Sequence, residues 1–429
     1  MDIGPALSTT QAWRYGLMGL PLAFVALPLY VLLPNYYARE FQIPLAALGA
    51  VLLATRLLDA LVDPYIGRWS DRLFRHSTRA VLWVACAASL MMALALAGLF
   101  MPLTREPSRL LAWSALLLML TYASFSTITV AHQSWGALLG GDAVMQSRLV
   151  AWREGLGLLG VVLASVAPLL LGLPATVLLF ALALLLGWLA WWRAPRPQTR
   201  QEAQAIGAGL LWQPWRRLAF RQLLLVFMLN GTASAVPATL VLFFVQDRLQ
   251  VAPALEPVFL ASYFLCAAAS MPLWLRGVRR YGLARCWLGG MLLAVAVFVW
   301  ASQLGAGDAL AFALVCMGSG LALGADLALP GAMLAGLVAR SGDLGQSEGT
   351  YFGWWNFATK LNLALAAGLA LPLLGWFGYA PGGREPAALQ ALTVAYCLLP
   401  SLLKLSAAAL LYRYFIHRPA ALPDQTGNS

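Results

Sequence analysis

Apolar runs of about twenty residues recur along the whole chain, separated by short polar turns rich in arginine, glycine and proline. A helix rises 1.5 Å per residue, so a run of about twenty crosses the hydrocarbon core of a bilayer. The pattern predicts twelve spans. The first six cover approximately residues 12–37, 45–68, 80–103, 110–138, 149–171 and 175–192. The second six cover 222–245, 257–275, 284–304, 308–338, 350–379 and 389–415. A polar stretch rich in arginine, proline and glutamine parts the two sets, and each set has a basic loop after its second span. The expected architecture is an all-α membrane protein of twelve transmembrane helices in two pseudo-symmetric six-helix bundles. The N-terminal bundle takes residues 1–193, a linker 194–221, the C-terminal bundle 222–416 and a polar tail 417–429. Inside the linker, Leu210, Leu211, Trp212 and Trp215 beside Arg216 and Arg217 suit either a helix lying on the membrane surface or an irregular tether.

Composition agrees. Of 429 residues 61% are hydrophobic and 10% charged, which excludes a soluble globular domain. The first apolar run lacks a basic start and a small-residue cleavage site, so it reads as a retained helix. The net charge of +11 is mostly arginine in loops on one side, and this makes nucleic acid an unneeded partner. Loops on the side of both termini carry about twenty arginines against about five opposite. Both termini are therefore expected in the cytoplasm, in a multi-pass protein of a bacterial inner membrane. The five cysteines fall singly and suggest neither a metal site nor a disulfide framework.

The charges inside the spans carry the chemistry. Arg56, Asp59 and Asp63 follow the spacing i, i+3, i+7 and share one helix face. Each acid at the centre of a membrane helix costs about 2.5–3.5 kcal/mol on insertion scales. Ionised carboxylates there suit a small hard cation, sodium, or carry protons when desolvated. A structural salt bridge with Arg56 is the alternative. Pro64 follows Asp63 and frees a carbonyl one turn back. Lys360 lies ten residues into the eleventh span, too deep to snorkel easily, with Asn356 one turn before it. It suits a coupling partner for Asp59 or Asp63, or a lysine fixed by Asp326 of the tenth span. Arg153 at the start of the fifth span is a candidate for the cavity's cytoplasmic end. Trp135 is a candidate stacking platform for a sugar ring, and His132 a candidate relay or lining residue. Lys404 has no obvious partner.

Residues Gly67 to Arg75, GRWSDRLFR, match G-x-x-x-D-R-x-x-R, the loop after the second helix in the major facilitator superfamily. Gly67 permits close helix contact, Asp71 can cap or pair with a neighbouring helix end, and Arg72 and Arg75 stay at the surface, as a conformational latch requires. RLLDALVDPYIG, from Arg56 to Gly67, resembles the R-x-x-D-A-x-x-D-P-x-x-G signature of the glycoside–pentoside–hexuronide:cation symporters, the family of melibiose permease. GADLALPGAML and SEGTYFGWWNFATKLNLALAAG resemble its tenth and eleventh helices. The resemblance implies that Asp59 and Asp63 line a cation site, that Lys360 and Arg153 match the family's lysine of helix eleven and arginine of helix five, and that a solute moves with sodium or protons. Sugar-transporting members carry acids in helices one and four where this chain has Ala23 and Ala131. The wider family includes lysolipid transporters.

The function expected is cation-coupled symport of a small solute, a sugar or glycoside, by alternating access, with no cofactor and as a monomer. The alternative is a proton-coupled exporter or carrier of amphiphilic, lipid-like or drug-like molecules. An enzyme is not expected: no nucleophile–base spacing and no phosphate-binding glycine loop is present.

Overall fold

The computed structural model describes residues 8–43, 45–197, 211–252, 255–377, 379 and 385–417. Among these the chain is helical throughout, with no strand. Residues 198–210 of the linker and the tail beyond 417 lie outside the described residues.

The first expected span is interrupted. It comprises α1 (Thr9–Gly16), α2 (Gly19–Phe24), a π-helical turn at Pro28–Leu32 and α3 (Leu33–Glu40). Ser8 and Gln11 form a reciprocal capping box at its start. Pro28, opening the π turn, lacks the N–H that a regular ladder needs. Helices α4 (Leu45–His76), α5 (Thr78–Phe100) and α6 (Pro107–Leu138) follow. Then α7 runs from Ala143 to Trp192 and breaks at Gly172, whose φ of 78° leaves the helical region between Pro168 and Pro174. The helix thereby serves as two candidate spans, Ala143–Pro168 and Leu170–Trp192, with the break in the first turn of the second. After the one-turn helix α8 (Gln213–Arg216) come α9 (Leu218–Phe243), α10 (Glu256–Tyr281), α11 (Leu283–Ala301), α12 (Ala309–Arg340) and α13 (Glu348–Trp376). The last span joins α14 (Pro386–Thr393), a π turn at Val394–Leu398 and α15 (Leu399–Leu411).

Nine helices among the described residues are long and apolar enough to cross a membrane. The other three expected spans are the interrupted first one and α4 and α13, which carry Arg56, Asp59, Asp63 and Lys360. On α4 the predicted face is real: Asp59 and Asp63 are buried, whereas Leu57, Leu61 and Tyr65 are exposed on another side. Such an apolar exposed stripe is what lipid contact requires.

The described chain falls into two compact units. One is Met1–Pro214 with Val338–Phe357; the other is Trp215–Leu337 with Ala358–Ser429. The core of the first includes Tyr15, Phe24, Trp135, Phe180 and Trp191. The core of the second includes Phe244, Phe259, Phe312 and Tyr396, with Tyr396 stacked on Phe244 at 4.2 Å. Val338–Phe357 was expected in the C-terminal bundle. It joins the first unit because α13 begins against α4 with almost no side chain between them. A Cβ on Gly67 would overlap the carbonyl oxygen of Gly349, and one on Gly349 that of Gly67. One turn on, a Cβ on Gly353 would lie 2.6 Å from the Asp63 carbonyl oxygen. Small residues four apart let helices meet backbone to backbone, where dispersion and helix-end polar contacts replace the hydrophobic effect.

Gly349→Ala is therefore expected to lower stability by about 1–3 kcal/mol or more, because the overlap is with backbone that cannot yield. Gly49→Ala, inside α4 with nothing within 4 Å of the added carbon, should keep or slightly raise the thermal unfolding midpoint. Equal midpoints for the two variants would disprove the close contact.

Candidate functional site

The charge cluster on α4 is served by α6. The hydroxyl of Ser126 donates to Asp59 Oδ1 at 3.0 Å. The Arg56 guanidinium carbon lies 5.3 Å from the centre of the Tyr122 ring, a cation–π distance. Tyr122 and Ser126 are four apart, so one stripe of α6 receives the base and the first acid of α4. Asp63 is fully buried, and its backbone is where Gly353 closes in. Sequence reasoning missed both α6 residues. The signal was present in the polar run TYASFSTIT, but nothing in it says which hydroxyl faces α4.

At the other end of α4, Asp71 reaches the start of α13. It accepts from the Gly349 N–H at 2.5 Å, the Thr350 N–H at 2.9 Å and the Thr350 hydroxyl at 2.5 Å. The first N–H groups of a helix have no partner within it, and a carboxylate supplies both acceptors and favourable charge. Burial, then the neighbouring Glu348, push the Asp71 carboxyl well above its ordinary range, while the three donors act the other way. Glu348, the first residue of α13, is pushed up to about 7, chiefly by burial. Arg72 and Arg75 of the same motif are exposed.

The cavity candidates fare unevenly. Trp135 is not an open stacking platform: it is fully buried, donates to the Pro195 carbonyl at 2.9 Å and packs against Trp191 and Phe74. His132 is likewise in the helix core. Its ring stacks on Tyr15 at 4.1 Å, its Nε2 donates to the Tyr15 carbonyl at 2.8 Å, and the Tyr15 hydroxyl donates to the His132 carbonyl at 2.9 Å. Both lie on α6 where small neighbours such as Gly136 let Tyr15 approach, and that tertiary fit is invisible in sequence. Arg153 pairs with the adjacent Glu154 at 2.5 Å. Asn356 donates to Gln133 at 2.9 Å, tying α13 to α6.

Asp326, the alternative partner considered for Lys360, is held by Lys404. Lys404 Nζ donates to Asp326 Oδ2 at 2.7 Å, Asn230 Oδ1 at 2.8 Å and Ser234 Oγ at 3.0 Å. Asp326 Oδ1 accepts from Asn230 at 3.0 Å and from the Trp287 indole at 2.9 Å. All three ammonium protons are thereby engaged, and α9, α11, α12 and α15 meet at one point. Lys360 is half-buried on α13, and two residues on, Asn362 accepts from Thr232 at 3.2 Å. Lys404 looked idle because its partners lie on two other helices, α9 and α12.

The sequence profile of MFS/sugar transport proteins matches residues 14–418. The chain belongs to this family. As a member of the MFS/sugar transport protein family it is a multi-pass membrane transporter and not an enzyme. A search of curated proteins gives no match. Among solved structures, a bacterial homologue of the iron transporter ferroportin in an outward-facing state superposes with a TM-score of 0.70 at 16% identity, over 95% of this chain and 99% of that one. The E. coli fucose:proton symporter gives 0.64 at 13%, over 93% and 97%. A proton:xylose symporter gives 0.63 at 10%, over 94% of each. At these identities the likeness shows the fold, the major facilitator fold.

For this family member, breaking the Lys404–Asp326 pair from one side should cost about 3–5 kcal/mol, since a buried charge is left uncompensated. Lys404→Met is expected to unfold well below the parent in a thermal melt, and the double variant Lys404→Met/Asp326→Leu to recover most of the loss. A single variant as stable as the parent would show that the pair bears no weight.

Proposed function

We propose that the protein is a secondary active transporter that couples entry of a small solute to a cation, proton or sodium, through Asp59 and Asp63. The carrying observation is that both acids are buried on a membrane helix of a family transporter, with Ser126 donating to Asp59. A buried acid in a membrane is expensive and is retained where it binds or relays an ion. Arg56, resting on Tyr122, and Lys360 are the proposed coupling partners. Gly67, Asp71, Arg72 and Arg75 are proposed as a latch that holds one access state and releases in the other. Transport then follows alternating access by a monomer in the bilayer of a bacterial inner membrane, with both termini in the cytoplasm. No cofactor is required, since the ion gradient supplies the energy.

The solute class follows less directly. A sugar or glycoside is the reading that the family supports. A second reading, a carrier or exporter of amphiphilic or lipid-like molecules, is favoured by one observation. The residues at the positions of the sugar-contacting acids are Ala23 and the buried Ala131, and Trp135 is sealed in the helix core.

A thermal-shift screen of sugars, glycosides and lysolipids on purified protein, with and without sodium and at two pH values, should find a solute whose stabilisation depends on the cation. In vesicles loaded with that solute, Asp59→Asn and Asp63→Asn are expected to abolish accumulation against a gradient while leaving membrane insertion intact. Uphill accumulation by both variants would sink the mechanism. Lys360→Ala should insert normally and lose coupling or binding; uptake at the parent rate would remove it from the site.

A further inference from the structure

We infer that the oxygens of Asp326, Asn230 and Ser234 form a site for a monovalent cation, and that the Lys404 ammonium is its built-in occupant. The inference concerns the second unit alone and stands whether or not Asp59 and Asp63 couple transport.

The oxygens converge from two helices. Asn230 and Ser234 lie four apart on one face of α9, and Asp326 comes from α12. Around Lys404 Nζ stand a carboxylate oxygen at 2.7 Å, an amide carbonyl oxygen at 2.8 Å and a hydroxyl oxygen at 3.0 Å. These are hard donors, the kind that alkali and alkaline-earth cations take. One carboxylate balances one positive charge, so the set suits sodium or another monovalent ion, and a divalent ion would leave a buried charge uncompensated.

A plain ion pair needs only two facing charges. Here the oxygens are also held by bonds in which the ammonium takes no part. The Asn230 amide nitrogen donates to Asp326 Oδ1 at 3.0 Å, which turns the amide oxygen toward the centre. The Trp287 indole, from α11, donates to the same carboxylate oxygen at 2.9 Å. The Ser234 hydroxyl donates to Asp326 Oδ2 at 3.3 Å and so presents its lone pairs to the cation. Outer partners of this kind fix the orientation of ion ligands. They persist when the ammonium is withdrawn. The side chains of Lys404 and Asp326 are only 5% and 11% exposed. A carboxylate so buried is costly without a cation, and a vacated centre draws one from solution.

The tether decides what this site does in the native protein. A diffusible ion exchanges with the surrounding solution, whereas the Lys404 ammonium cannot leave. The helices α9, α11, α12 and α15 therefore stay pinned at any cation concentration, and Asp326 is withheld from ions in solution.

Two substitutions separate charge from space. Lys404→Ala removes the ammonium and leaves room for an ion; Lys404→Met removes it and fills the room with its own chain. Thermal unfolding midpoints of the purified full-length variants are compared in sodium chloride and in choline chloride of equal ionic strength, choline being too bulky for the centre. Any sodium response of the parent protein, from Asp59 and Asp63 or elsewhere, is the baseline. Lys404→Ala should gain about 2–4 °C in sodium beyond that baseline. Lys404→Met and the double variant Lys404→Ala/Asp326→Asn should show the baseline response only. Where Lys404→Ala does not survive purification in choline, the yield of folded protein extracted in sodium against choline reads the same difference. No gain of midpoint or yield in sodium for Lys404→Ala, or an equal gain in either control, overturns the inference.

Discussion

The contact on which the first unit depends is the meeting of α4 and α13 at Gly67, Gly349 and Gly353. In a bilayer, apolar side chains gain little by touching one another instead of lipid, so helices are held by close backbone packing and by polar groups that have no better partner. Both occur here within two turns. The glycines bring the backbones together, and that proximity lets the short side chain of Asp71 span to the N–H groups of Gly349 and Thr350. Asn356 to Gln133 and the Trp354 indole to the Leu211 carbonyl at 2.9 Å extend the attachment of the same stretch. A stretch that follows α12 in sequence is by these means packed with the helices that precede the linker.

The buried charges are handled in two contrasting ways. Lys404 and Asp326 form a closed set with Asn230, Ser234 and Trp287, each ammonium proton and each carboxylate oxygen engaged. Such a set stabilises only as a whole, because its desolvation cost is repaid by complete satisfaction. It suits a fixed pin through four helices. On α4, two acids and an arginine lie within two turns, and α6 answers with a ring for the base and a hydroxyl for Asp59.

Much of this protein was written in its sequence. The length and spacing of apolar runs fixed the helical class, because an unpaired backbone cannot exist in lipid and only a helix satisfies it locally. The interval from Arg56 to Asp63 set a common face on α4, since helix periodicity is a local property. The motif from Gly67 to Arg75 placed an acid where a neighbouring helix start was to be expected. What the sequence could not decide was the identity of each partner. Trp135 and His132 have the chemistry of lining residues, yet their neighbours Tyr15, Trp191 and Pro195 lie far off in the chain and enclose them. Lys404 meets Asp326 across an interval of 78 residues, and Asp71 meets Gly349 across 278. Periodicity tells which way a side chain faces on its own helix; what stands opposite is set by packing among helices, and only the tertiary structure supplies that.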